Sequence, residues 1–160
     1  GKPTGMLVFD IELVSIERRP QPPRAPANIA AAPPNAKKTA SGLAYRVLHH
    51  GHGTIRPTMD DRVEVDYSAW TRDGELFDSS ILRGKPASVP LNRIIAGWAE
   101  GLQLMVEGDK ALFWIPEKLA YGAHAGSPRG ALVYEVELLR IAPKSVAAVD
   151  ATHERPIATP

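Results

Sequence analysis

The sequence contains no cysteine. Disulfides, thiolate catalysis and a cysteine-ligated zinc site are therefore excluded, while a reducing and an oxidising compartment both stay open. Charge of one sign is also lacking: 19 Lys and Arg face 18 Asp and Glu, the formal net charge is +1, and no basic run exceeds two residues. That balance gives no electrostatic case for binding nucleic acid or a membrane surface. No apolar run approaches the roughly 20 residues that cross a bilayer, so no membrane span is expected. A Gly-x-Ser-x-Gly elbow and a Gly-rich phosphate loop are missing too, which removes the usual nucleophile and nucleotide signatures. The chain opens at Gly1 with no initiator Met and no signal-like segment, and reads as a piece of a longer protein whose targeting is not legible.

What is present suits one ordinary domain. The chain has 160 residues, 44% hydrophobic and 23% charged, enough for a real core with a solvated surface. Proline is plentiful, with 15 residues, and it clusters in "RRPQPPRAPANIAAAPPNA" (18–36), where Ile29 is the single large aliphatic residue. Missing backbone donors and polyproline geometry make 18–40 a semi-rigid spacer. Its PxxP match is one that such linkers produce by chance. The tail 143–160 lacks periodicity and is expected to fray.

The folded block is 41–142. "RVEVDYSAW" (62–70) alternates, with Val63, Val65, Tyr67 and Ala69 on one face and Arg62, Glu64, Asp66 and Ser68 on the other, as in a half-buried strand. Asp73-Gly74 supplies a hairpin turn. "NRIIAGWAEGLQLM" (92–105) places Ile94, Ile95, Trp98, Leu102 and Met105 at helical spacing, with Asn92 as N-cap, and Gly97 and Gly101 keep the helix short. "DKALFWIP" and "ALVYEVELLRI" are further strands. One helix among strands without a βαβ rhythm predicts an α+β fold on an antiparallel sheet.

An internal repeat sets the organisation. Gly1 to Ile16 matches Gly126 to Ile141 at a constant offset of 125 residues, with half of 16 positions identical, including the Gly-x-Pro-x-Gly punctuation. Residues 1–17 then read as the last strand of a preceding copy, and the parent protein as a tandem of domains.

Bond-breaking chemistry finds no support. Ser79 and Ser80 follow Asp78, but the histidines that could activate them lie in loops or in the tail. His49, His50 and His52 could in principle meet a transition metal, yet nothing in "HHGHG" fixes three nitrogens about one ion, no acid stands nearby in sequence, and a solvated turn is the simpler reading. The aromatic and branched residues Tyr67, Phe77, Trp98, Phe113, Tyr121 and Tyr134 could pack in a core or line a concave apolar pocket.

At these residues the sequence resembles the FKBP-type peptidyl-prolyl isomerases. The resemblance runs from about Ser41 to Ile141 and rests on "VEVDYSAWTRDGELFDSS", "NRIIAGWAEGLQLMVEGDKALFWIP", "LAYG" and "GALVYEVELLRI", in the family's order. It implies a five- to six-stranded antiparallel sheet curled around one short helix, with an apolar pocket between them. Trp98 matches the pocket floor, and Tyr67, Phe77, Ile94, Ile95, Tyr121 and Tyr134 match its walls. Asp78 and Arg83 match a polar pair at the rim, bonded to the tyrosine at 67. The Ile95 N–H and the Tyr121 hydroxyl match groups that meet ligand carbonyls. Neither nucleophile nor cofactor is implied, and no metal. The implied partners are proline-containing polypeptides. A non-catalytic chaperone or peptide-binding module is the alternative use of the same pocket.

Three departures alter the carry-over, one of them a short connection from residue 87 to the helix. Ala87 stands where the family often has an aromatic wall, and the loop after Tyr121 is trimmed. Together they predict a more open pocket, weaker for macrolides such as rapamycin. The resemblance further suggests a periplasmic location, with the cytoplasm as alternative. The apolar, alternating residues 6–16 are expected to add to a sheet edge or to self-associate.

Overall fold

The computed structural model describes residues 21–122 and 127–142. The first repeat unit, with residues 6–16, and the tail 143–160 lie outside the described residues. Among these residues seven strands form one sheet: β1 (Lys37–Lys38), β2 (Ala44–His49), β3 (Arg62–Thr71), β4 (Leu76–Ser79), β5 (Ala87–Pro90), β6 (Lys110–Ile115) and β7 (Leu132–Ala142). Their order is β1-β2-β6-β7-β3-β4, β5 also pairs with β3, and every pairing is antiparallel. Helix α1 (Ser80–Arg83) follows β4, and α2 (Ala96–Leu102) precedes β6. The α+β expectation therefore holds. The strand count exceeds five or six because β1 is a two-residue addition and the chain returns to β3 twice, as β4 and as β5.

The alternation in β3 works as the sequence suggests on one side. Val63, Val65, Tyr67 and Ala69 enter the main core, where they meet Phe113, Leu132, Tyr134 and Val136 from the neighbouring strands. Helix α2 lies close against that concave face. A Cβ on Gly97 would meet Ile115 Cγ2 at 2.4 Å, and one on Gly101 would meet the Phe113 ring at 2.8 Å. The two glycines that weaken the helix are what lets it approach the sheet.

Asn92 is not the N-cap. It sits in a 3-10 turn, Leu91–Arg93, and Ile94 is extended, so α2 starts only at Ala96 with Ile95 at the cap position and no side-chain cap. The cause is tertiary: Leu91 is fully buried, and its N–H donates to the Asp61 carbonyl at 3.1 Å, which pins the turn to the loop before β3.

The other face of the sheet carries a second apolar cluster. Ala44, Leu112, Trp114 and Val133 are buried under Ile29, Ala32 and Ala36. The Trp114 indole N–H donates to the Asn28 carbonyl at 2.8 Å, and Arg72 Nε donates to the Ala30 carbonyl at 2.7 Å. Residues from Pro26 onward are therefore a strap on the domain, not a free spacer. Capping the apolar end of the outer face requires a covering segment, and the Ala-rich strap is thin enough to lie flat on it.

Candidate active site

The outer edge of β3 is divided. β4 pairs with Ser68–Trp70 and β5 with Arg62–Val65, which leaves Asp66 and Tyr67 opposite the excursion that carries α1. A backbone N–H left unpaired there would be costly. Ser80 fills the gap: fully buried, it accepts from the Tyr67 N–H at 2.9 Å and donates to Asp66 Oδ1 at 2.8 Å. Ser79 caps α1 by accepting from the Leu82 N–H and shares a 2.9 Å hydrogen bond with Ser68 Oγ. The two serines of "FDSS" are structural pins, each with its hydroxyl engaged in these local hydrogen bonds.

Helix α1 lasts a single turn because Gly84, at φ 69°, takes the left-handed conformation that ends it. This stop sets Arg83 back over β3. Its guanidinium donates to the Tyr67 hydroxyl at 2.9 Å and lies 5.4 Å from the centre of that ring. Asp78 accepts from both the Tyr67 hydroxyl and Arg83. The expected rim cluster of Tyr67, Asp78 and Arg83 is thus assembled. Burial, and then the hydrogen bond to Asp78, push the Tyr67 hydroxyl up to about 12, and the Tyr67 hydroxyl and Asp78 raise Arg83 in turn.

Behind the rim the rings interlock. The Trp98 indole lies 5.0 Å from Tyr67 and stacks on Tyr134 at 5.3 Å, while Phe77 meets Tyr134 edge-on at 6.1 Å. Tyr134 is buried, and desolvation followed by a hydrogen bond with Tyr121 raises its hydroxyl strongly. A hollow of about 390 Å³ opens before the indole, lined by Arg93, Ile94, Ile95, Trp98, Ala120, Tyr121 and Ser127. Ile95 sits just ahead of α2, so its N–H has no helical carbonyl to meet. The indole N–H of Trp98 is buried and has no partner among the described residues.

Of the sequence-predicted residues, Ile94, Ile95, Trp98 and Tyr121 line the hollow directly. Tyr67, Phe77 and Tyr134 back its floor, and Asp78 and Arg83 are joined to it through Tyr67. Ala87 stands apart: it pairs with Val65 in β5 and packs on the core edge, outside the lining of the hollow. Sequence reasoning missed Arg93, Ala120 and Ser127 as lining residues and Ser80 as the pin of Tyr67.

The histidine loop proves to have an acid beside it after all, since His50 lies 3.9 Å from Asp109. That carboxylate is occupied, accepting from the Gly51 N–H at 2.8 Å and the Val106 N–H at 2.9 Å, so it clamps the loop. Among the described residues no three His, Asp or Glu side chains group as metal ligands.

A family model described as FKBP-type peptidyl-prolyl cis-trans isomerase matches residues 53–139. The FKBP-type isomerase FkpA of Aeromonas hydrophila is 53% identical over 108 residues, covering 66% of this chain and 40% of the relative. The macrophage infectivity potentiator of Trypanosoma cruzi is 45% identical over 115 residues, covering 69% and 59%. The chain spans about half the length of the curated relatives it matches. Among solved structures, FkpA from Escherichia coli superposes with a TM-score of 0.64 at 38% identity, covering 69% of this chain and 53% of that one. A peptidyl-prolyl cis-trans isomerase from Pseudomonas syringae gives 0.63 at 37% identity, covering 69% and 84%. With the matched span exceeding half of the chain and the pocket built from the motif residues, this chain belongs to the FKBP-type peptidyl-prolyl cis-trans isomerases.

Proposed function

We propose that this domain accelerates cis-trans rotation of X-Pro bonds in polypeptide chains. The supporting observation is the hollow floored by Trp98, with Ile94 and Ile95 on one wall and Tyr121 on another. Rotation faces a barrier of about 18–20 kcal/mol set by amide resonance, and no bond is broken. The half-rotated amide has lost resonance and with it part of the charge separation across C–N. An apolar hollow therefore disfavours it less than the planar form, and that difference is catalysis. The prolyl ring would rest on the indole, the Ile95 N–H and the Tyr121 hydroxyl would donate to flanking carbonyls, and Asp78 with Arg83 would hold Tyr67 in place.

The test is the cis-trans exchange rate of a proline peptide, measured by NMR with and without the domain. Acceleration supports the reading. Peptide binding with an unchanged exchange rate would instead identify a chaperone or peptide-binding module. An open pocket also predicts weak binding of macrolides such as rapamycin, readable by calorimetry. Residues 6–16 would promote self-association, and light scattering on the chain with and without them decides it. Export to a periplasm remains part of the proposal, checked by fractionation of cells expressing the full-length protein.

A further inference from the structure

Among the described residues, Arg93 is the single charged one lining the hollow. It ends the 3-10 turn Leu91–Arg93, whose first residue is fully buried and tied to the Asp61 carbonyl, so its backbone is fixed beside the hollow while its side chain is exposed. Among the described residues it makes no ion pair, whereas Arg83 on the rim is neutralised by Asp78. The remaining described lining is apolar or hydroxyl-bearing, so no carboxylate among the described residues lining the hollow offsets this cation. A net charge of +1 leaves no strong global field to mask a local one.

We propose that Arg93 is a specificity-determining residue that selects prolyl substrates carrying a carboxylate next to the proline, an Asp or Glu within one residue of it. This rests on the isomerase reading of the same hollow. A prolyl ring seated on Trp98 leaves its neighbouring side chains at the edge of the hollow, within the field of the guanidinium. An acidic neighbour gains there and a lysine loses. Because the guanidinium is solvated, the preference is modest, and it weakens as salt screens it.

The test uses two tetrapeptide series, Ala-X-Pro-Phe and Ala-Ala-Pro-X, with X as Glu, Gln or Lys. Exchange rates and dissociation constants are read by NMR, the latter from the Trp98 indole resonance. The wild type is expected to favour Glu over Lys about three- to ten-fold in kcat/KM in at least one series at low salt. Arg93→Gln should bring that ratio near one, and Arg93→Glu should invert it. Equal rates and affinities for Glu and Lys in the wild type, or a ratio untouched by Arg93→Gln, would overturn the proposal. If no peptide is accelerated but affinities still follow charge and Arg93, the isomerase reading falls and the specificity assignment stands.

Discussion

Two tryptophans lie on opposite sides of the sheet, Trp114 in β6 and Trp98 in helix α2, and they are treated in opposite ways. Trp114, on the outer face, is covered by the strap, and its indole N–H is spent on the Asn28 carbonyl. Trp98, in α2 on the core side, is also buried, yet its N–H has no partner among the described residues and a hollow of about 390 Å³ lies before it. A buried donor without an acceptor costs about 1–3 kcal/mol. The Asn28 carbonyl removes that cost on the outer face. Trp114 is thus part of how the domain holds together, and Trp98 part of what it does. Substitutions at the two positions should separate cleanly.

The largest effect belongs to the outer face. Trp114→Ala deletes a buried indole and the anchor of the strap together, and should lower unfolding free energy by about 3–5 kcal/mol. Denaturant titration measures this, while kcat/KM of the folded fraction stays within about two-fold of wild type on the same comparison of stability with rate. Loss of activity in the folded fraction would mean that the strap side also shapes the hollow. Trp98→Leu should behave the other way. Losing the aromatic floor is expected to reduce kcat/KM about a hundred-fold, equivalent to ~2.7 kcal/mol of transition-state stabilisation. A variant that retains full exchange activity would remove the indole from the mechanism.

Ser80→Ala comes next and probes how the concave face is braced. It strips the Tyr67 N–H of its acceptor at a fully buried position, and should cost about 1–2 kcal/mol of stability. A positioning role adds a second readout. Tyr67 has its hydroxyl raised to about 12, above the ordinary tyrosine value near 10. A folded value above the unfolded one means that its contribution to stability is fully present below pH 10 and is lost as pH rises through about 12. If Ser80 holds the Tyr67–Asp78–Arg83 cluster together, ultraviolet titration of Ser80→Ala should show phenolate forming at lower pH. An unchanged Tyr67 titration in a destabilised variant would reduce Ser80 to a packing residue.

The same two faces explain what could be read from the residues. Alternation in Val63, Val65, Tyr67 and Ala69 gave away the concave face, because a single period of two decides it. The outer face was legible in part only. Arg62 to Ser68 read as solvated, and Trp70 broke that pattern: it is 1% exposed and sits opposite Val133. A tryptophan in line with polar positions was the signal that something covers this end of the sheet. The cover was hidden by composition, since a Pro/Ala run with Ile29 as its one large aliphatic looks like a spacer until its partner face is known. Rim and floor residues followed from motif order. Ser80 and Arg93 did not, because the gap in the β3 edge and the turn pinned by Leu91 exist only once distant strands are assembled.

The smallest effect is expected at the polar end of the outer face. There Glu64 accepts from Arg140 across the β3–β7 ladder at 2.7 and 3.3 Å. The geometry is two-pronged, but Arg140 is exposed and Glu64 only half-buried, and such pairs contribute little once water and salt compete. The hydrogen bond from Arg140 holds the Glu64 carboxyl below the usual carboxylate range. A depressed folded value places its contribution above the ordinary carboxylate range and removes it as pH falls. Glu64→Gln should therefore leave the melting temperature at neutral pH and moderate salt almost unchanged, and should slightly flatten the loss of stability in acid. A large drop at neutral pH would show that the polar end of this face needs its ion pair as the apolar end needs its strap, and would erase the contrast between them.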